Sequence, residues 1–359
     1  MGVARWRQRQ SSSFADAFVM IRRGGSALYT AARARTAAAT ASSSSSSSSS
    51  LGAFVASAFA AHATHAPDAV ALAVPHRALA WTYGELHDRA RAFAAALEDL
   101  GYCDDYARAL GASVANGPEA MVTYLGCALA GVDARTAKRA KDFVDFAPTR
   151  GTVVEFSDAS DAGTLIGAHE PITVGEGATA RDKVIMWDVV EAAYASRNVE
   201  RAVDRDSTFY YNSAKGVRGS GLVDMAHASA RALGIESGDS VCVPVPLAHS
   251  MGFAFGALAA FSRGARVVLP PGLASAGESA EAREAMCQVT LDVLASEKCT
   301  LVVADSHVLK AAGDNSLRRV GYEALRGGLT KVGSGDAIGA VDAVKFIGVD
   351  LLTVGVPKK

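Results

Sequence analysis

From about residue 81 onward, short apolar runs of strand length alternate with longer amphipathic runs of helix length, and this alternation constrains the fold more than any other feature. Residues 83–100 set Leu86, Ala90, Phe93, Ala94, Leu97 and Leu100 on one helical face with charges between them, and Gly101 follows as a stop. Residues 107–116 read as a strand ending in a turn. Residues 118–132 open on Pro-Glu and close at a glycine, both favourable helix-end signals. Further on, GTVVEFSD (151–158), SVCVPVP (240–246), ARVVLP (265–270) and KCTLVVAD (298–305) predict strands. Helices are expected over 138–146, 183–203, 222–233, 251–264, about 279–297 and near 307–313. Strand–helix alternation of this kind implies an α/β layered fold with mostly parallel sheet.

Composition removes several classes of function. Half of the 359 residues are hydrophobic, ample for a buried core. Residues 1–50 carry seven Arg and one acid, Asp16, which leaves 29 basic and 36 acidic residues in the remainder. A body this acidic lacks the basic face that nucleic acid requires, so no nucleic-acid partner is expected. The cysteines, 103, 127, 242, 287 and 299, are widely and irregularly spaced, which argues against a disulfide framework or a zinc site and for buried reduced thiols. No run reaches the roughly 18–20 apolar residues of a membrane span. The best, residues 51–61, reads as the first helix of the body.

Residues 1–50 form an Arg-, Ser- and Ala-rich leader ending in nine consecutive serines, Ser42–Ser50. That composition fits an organellar transit peptide. Arg spaced through an apolar N-terminus favours the mitochondrion, with the plastid as alternative. A polyserine run has little to bury and is read as disordered. His62 and His65, close to the end of the leader, are expected to be solvated.

Four segments of the body carry a resemblance: WTYGEL (81–86), VANGPEAMVTYLGCALAGV (114–132), PLAHSMGF (246–253), and GARVVLP (264–270) with TLDVLASEKCTLVVADSHVL (290–309). Their order and spacing resemble the adenylate-forming enzymes, a superfamily of acyl-CoA synthetases, luciferases and peptide-synthetase adenylation domains. The resemblance implies the N-terminal domain of that fold, with αβαβα layering and mostly parallel sheets. It also implies a two-step reaction in which a carboxylate attacks the α-phosphate of ATP with Mg²⁺ and a thiol captures the acyl-adenylate. The matched positions His249, Ser250, Gly252 and Phe253 correspond to the acyl pocket, where the histidine lines the pocket and shuttles no proton. Subdomains are expected at about 51–235 and 236–325, followed by a Gly-rich tail, 326–359.

The departures from the family pattern concern the nucleotide. The family's phosphate loop, T-S-G-T-T-G-x-P-K-G, brings backbone N–H groups close to anionic oxygens, which requires several small residues. Here STFYYNSAKGV (207–217) keeps only Ser213, Lys215 and Gly216 as vestiges. The Y-G-x-T-E motif, which holds adenylate and metal, has only an echo in LLTVGVPKK (351–359). The segment LRGGLTKVGSG (325–335) lacks the context of a phosphate-binding motif and is expected to be a turn-rich connection. The sequence stops before the family's ribose-binding Asp and its C-terminal lid domain, so the lid is expected to be absent. No catalytic residue and no metal ligand is assigned. The expectation is a pseudoenzyme, an accessory or binding component within a larger organellar complex, needing no cofactor. The alternatives are an active ligase using ATP and Mg²⁺, and a carrier of acyl or CoA-like ligands without chemistry.

Overall fold

Two sheets organise the body. The computed structural model describes residues 49–99, 102–103, 109–114, 116–136, 153–156, 205–211, 216–271, 279–313, 320–339 and 343–356. Residues 48–359 form one compact unit. The larger sheet has the order β12-β14-β11-β10-β8-β9-β1-β2, with β13 against β14. Its strands are β1 (Val70–Val74), β2 (Leu79–Thr82), β8 (Ser240–Cys242), β9 (Arg266–Val268), β10 (Leu301–Ala304), β11 (Gly327–Lys331), β12 (Ser334–Ile338), β13 (Val344–Phe346) and β14 (Val349–Val356). The inner strands from β14 to β1 pair in parallel, and β2, β12 and β13 add antiparallel edges.

The smaller sheet has the order β5-β3-β4-β6-β7. It comprises β3 (Ala109–Val114), β4 (Asp133–Thr136), β5 (Val153–Phe156), β6 (Thr208–Tyr211) and β7 (Gly216–Arg218). Every pairing in it is parallel except the β6–β7 hairpin.

Helices fill the space between the sheets. Among them α3 (Pro118–Ala130) is buried over its whole length. Such a helix has no polar stripe to give to water, which its continuous apolar sequence foretells. Gly131 ends it at φ 66°, a left-handed conformation that glycine adopts without Cβ strain. Three consecutive pieces, Ser250–Gly252, Phe253–Leu258 and Ala259–Phe261, make one helix, α5. Its middle piece is π-wound, where a regular α-helix was expected. The wider winding redirects backbone carbonyls, and that of Phe255 accepts from the buried Ser229 hydroxyl at 2.7 Å. Gly256 of α5 faces Val243 and Val303 of the larger sheet, whereas Phe253 stacks on Phe209 of the smaller one. The helix is therefore clamped between both sheets.

The opposite face of the larger sheet is covered by α6 (Ala280–Ser296) and α7 (Ser306–Ala311). Cys287, Leu291, Leu294 and Val308 pack there on Cys242, Val268, Val302, Ala304 and Phe346. Alternate residues of one strand thus serve both layers: Val302 faces α6, and Val303 faces α5. The layers smaller sheet, helices, larger sheet, helices make up the described body. The helices expected over 138–146 and 183–203 lie outside the described residues.

Local chemistry fixes the helix starts. Ser50, the last of the serine run, caps α1 (Leu51–His65) by accepting from the Ala53 N–H at 3.2 Å. WTYGEL is a capping box for α2 (Tyr83–Asp99). Thr82 accepts from the Glu85 N–H at 3.2 Å, and Glu85 reaches back to accept from the Thr82 N–H at 2.8 Å. Asp206 holds the Ser220 N–H and hydroxyl at 2.7 and 2.6 Å, at the start of α4 (Gly219–Leu233).

The larger sheet takes in β1, which pairs with β9 and carries β2 on its other side, as well as β11–β14. Two expectations need correction. Residues 325–335 are not a turn-rich connection. Gly327 and Gly328 sit inside the parallel strand β11, and Gly328 lies so close to the backbone of Val302 that no Cβ would fit. His62 is half-buried rather than solvated, with its Nε2 on the Phe261 carbonyl at 3.0 Å, whereas His65 is exposed. All five cysteines are free, four of them buried and Cys103 half-buried. Among the described residues, no helix is long and apolar enough to cross a membrane.

Candidate functional site

The carboxyl ends of parallel strands are where open α/β sheets receive ligands, since the loops leaving them diverge there. In the larger sheet those ends deliver the segment after β8, Asp305 after β10, and Lys331 at the end of β11. The segment after β8 contains Pro246, Leu247, Ala248 and His249, and it then turns into α5.

A buried amide sets that segment. Asn116, 6% exposed, precedes α3, donates through Nδ2 to the Val243 carbonyl at 3.3 Å, and accepts through Oδ1 from the Leu247 N–H at 3.0 Å. One side chain thus satisfies two backbone groups where the chain leaves the sheet after β8. Glu119, three residues on, is buried and accepts from Nη1 of Arg77 at 2.7 and 2.9 Å. Together they explain the Asn-x-Pro-Glu pattern: the proline starts α3, and the polar pair ties that start to two distant segments.

His249 stands at the N-cap of α5. Its N–H donates to the Pro246 carbonyl at 3.0 Å, and its carbonyl accepts from the Phe253 N–H at 2.9 Å. Ser250 follows, and both side chains are half-exposed. Gly252 is dictated by close approach, because a Cβ there would lie 2.5 Å from the carbonyl oxygens of both Val245 and Pro246. Phe253 is fully buried, with its ring 5.4 Å from Tyr124 and 5.9 Å from Phe209. The four expected pocket positions therefore share one turn, with His249 and Ser250 outward and Phe253 in the aromatic core. The Tyr124 hydroxyl has no hydrogen-bond partner among the described residues, and burial pushes its pKa up.

Of the vestigial phosphate-loop positions, Ser213 and Lys215 lie outside the described residues. Gly216 opens β7. Tyr210 pairs with Gly216, Phe209 with Val217 and Thr208 with Arg218 in an antiparallel ladder. The strands end at Tyr211 and resume at Gly216, leaving Asn212, Ser213, Ala214 and Lys215 to connect them.

A polar network at the opposite ends of the same strands was not foreseen. Arg326, just before β11, donates to both carboxylate oxygens of Asp239 at 3.2 and 2.6 Å. It also donates to the carbonyls of Leu233 and Gly234 at the end of α4, each at 2.9 Å. Thr300 donates to the same carboxylate at 2.7 Å. Burial alone would raise the Asp239 pKa, but the hydrogen bonds from Arg326, the Glu236 N–H and Thr300 outweigh it and hold the carboxyl below its ordinary value. The arginine of LRGG is thus a structural clamp on a helix end. Among the described residues, no three His, Cys, Asp or Glu side chains are grouped so as to hold a metal ion.

Residues 59–138 match the family model described as AMP-binding enzyme. No curated protein sequence matches the chain. Among solved structures, VinN in complex with L-aspartate aligns over 80% of this chain and 70% of its own, at 16% identity and a TM-score of 0.55. A benzoate CoA ligase from Burkholderia xenovorans LB400 aligns over 84% of this chain and 60% of its own, at 18% identity and a TM-score of 0.58. MbtA from Mycobacterium smegmatis aligns over 80% of this chain and 53% of its own, at 16% identity and a TM-score of 0.56. At such identities the likeness is one of fold, and the chain spans little more than half the length of the last two. Residues 59–138 are thus similar to the AMP-binding enzymes, and the body around them shares the fold of these solved structures over part of their length.

Proposed function

We propose that this protein is a catalytically degenerate relative of the ATP-dependent acyl-activating enzymes, kept for its folded body and acting as an accessory component of a larger assembly in an organelle. The observation that carries the reading is the connection between β6 and β7. Four residues, none of them glycine and only one bearing a hydroxyl, stand where the family has a Gly- and Thr-rich loop. A triphosphate is gripped by several close amides and hydroxyls at once, and the sequence Asn-Ser-Ala-Lys brings one hydroxyl and no glycine to that task. ATP and Mg²⁺ do not fit this set of residues, so no catalytic step is assigned to them. The Arg- and Ser-rich residues 1–50 support an organellar address, the mitochondrion ahead of the plastid.

The parts that survive are those that build the body: the capping box of α2, the Asn116 clamp, the Gly252 seat and the helices between the sheets. A second reading, an active ligase, draws on Lys215 and on the retained geometry of Pro246–Phe253. ATP–pyrophosphate exchange with a panel of carboxylic acids separates the two. Degeneracy predicts no exchange above background with any acid, and co-migration of the endogenous protein with a larger complex on native gels. Carboxylate-dependent exchange would overturn it.

A further inference from the structure

Four of the chain's eight histidines gather around one helix. Helix α1 buries Phe54, Val55 and Phe59 against α2, α3, α4 and the end of α5. Its Phe59 ring lies 5.3 Å from Tyr83, 5.0 Å from Phe261 and 6.1 Å from His87 of α2. Its Phe54 meets His227 of α4 edge-on at 5.8 Å. One helical turn beyond Phe59, His62 lays its ring 4.8 Å from Tyr83 and places Nε2 3.0 Å from the Phe261 carbonyl. A carbonyl only accepts, so Nε2 carries the proton and donates it. Nδ1 of the same ring is turned toward Gly264, where a Cβ would come within 2.9 Å of it. His65 bonds the Ala61 carbonyl of its own helix at 2.7 Å and is exposed.

The charges around these rings give a proton no compensation from α1, which has no Asp or Glu. His62 faces His65 along its own helix, Tyr83 across on α2, and the backbone turn that follows α5 and includes Arg263, whereas His87 of α2 meets α1 at Phe59. The Tyr83 hydroxyl is already committed to the Ala265 carbonyl at 2.8 Å. His87 has Asp88 and Arg91 beside it on α2, and these act in opposite directions. On α4, Asp224 and Arg231 lie about one turn to either side of His227.

We propose that α1 is a pH-releasable clasp, docked while His62 and His87 are neutral and loosened when they take up protons. Burial lowers the pKa of both rings; for His62 the Phe261 carbonyl opposes this and His65 adds to it, and for His87 Arg91 adds to it and Asp88 opposes it. The sign follows. The undocked helix accepts protons near the ordinary value of 6.5, and the docked one accepts them only below it. Docking is therefore fully stable above about pH 6.5 and weakens as the pH falls through that value.

Hydrogen exchange of the full-length protein, read by mass spectrometry at pH 7.5 and 5.5 and corrected for intrinsic rates, tests this. Amides of residues 54–65 are expected to lose protection by about tenfold or more on acidification, while β10 and β11 hold theirs. In H62Q/H87Q, where glutamine can still donate to the Phe261 carbonyl, that pH-dependent loss is expected to vanish. Unchanged protection of α1 in the wild type, or an equal loss in the double variant, would overturn the proposal. Should the double variant not fold, ring titration of the wild type by NMR decides. Midpoints for His62 and His87 below 6.5 support the clasp, and midpoints at or above it reject it.

Discussion

Replacing Asn116 by alanine removes one side chain and strands two backbone groups. Asn116 is 6% exposed, and its amide is the partner of the Val243 carbonyl at 3.3 Å and the Leu247 N–H at 3.0 Å. Each buried group left without a partner costs about 1–3 kcal/mol, so the expected loss is about 2–6 kcal/mol. Against a typical total of about 5–15 kcal/mol, that is a large share of the stability. Urea unfolding followed by far-ultraviolet circular dichroism measures it as a fall in midpoint at unchanged slope. N116D sharpens the test. The carboxylate still accepts from Leu247 but faces the Val243 carbonyl with no donor, so at neutral pH the variant is expected to be as unstable as N116A. On acidification the protonated carboxyl regains a donor, and N116D should recover stability that N116A does not. A loss of less than about 0.5 kcal/mol in N116A would refute the reasoning, because surface positions show effects of that size.

Other expectations follow from the same geometry. G252A places a methyl 2.5 Å from two carbonyl oxygens, and the start of α5 must shift; a loss of about 2–4 kcal/mol is expected by the same assay. F253A empties a fully buried position between Tyr124 and Phe209 and should cost about 3–5 kcal/mol, read from the melting temperature. R326M releases the Asp239 carboxylate at a cost of roughly 1–2 kcal/mol, discounted because the guanidinium side chain is 42% exposed. The Asp239 pKa is lowered on folding, so its contribution is present above about pH 4 and is lost as the pH falls through the folded-state value. The wild type should therefore lose part of its advantage over R326M in acid, the bonds to the Leu233 and Gly234 carbonyls remaining, and an advantage that does not shrink on acidification would contradict that assignment.

Much of the layered fold was legible because its signals are local. The strand–helix alternation, the Pro-Glu start of α3, the glycine at its end and the amphipathic run of α2 are each set by residues within a few positions of one another. What was missed depends on distant partners. Gly327 and Gly328 read as turn residues, and only the parallel neighbours β10 and β14 make them a strand. His62 reads as the solvated end of a leader until Phe261, two hundred residues on, is brought to it. The π-winding of α5 leaves no trace in its apolar sequence, because the carbonyl it redirects is satisfied by Ser229 from another helix. The side chain of Asn116 was legible as part of a turn but not as the clamp on the segment after β8. At the candidate site the shortened connection in 207–217 is a reading of the sequence alone, since Ser213 and Lys215 lie outside the described residues.

The central claim is that this body lacks the means to hold a triphosphate. Isothermal titration of the full-length protein with ATP·Mg²⁺, with acetyl, benzoyl and long-chain carboxylates present in turn, tests it most directly. The account predicts no saturable heat at nucleotide concentrations up to about 1 mM, the weak end of the usual affinity scale. Saturable binding in the micromolar range, weakened by K215A, would contradict it.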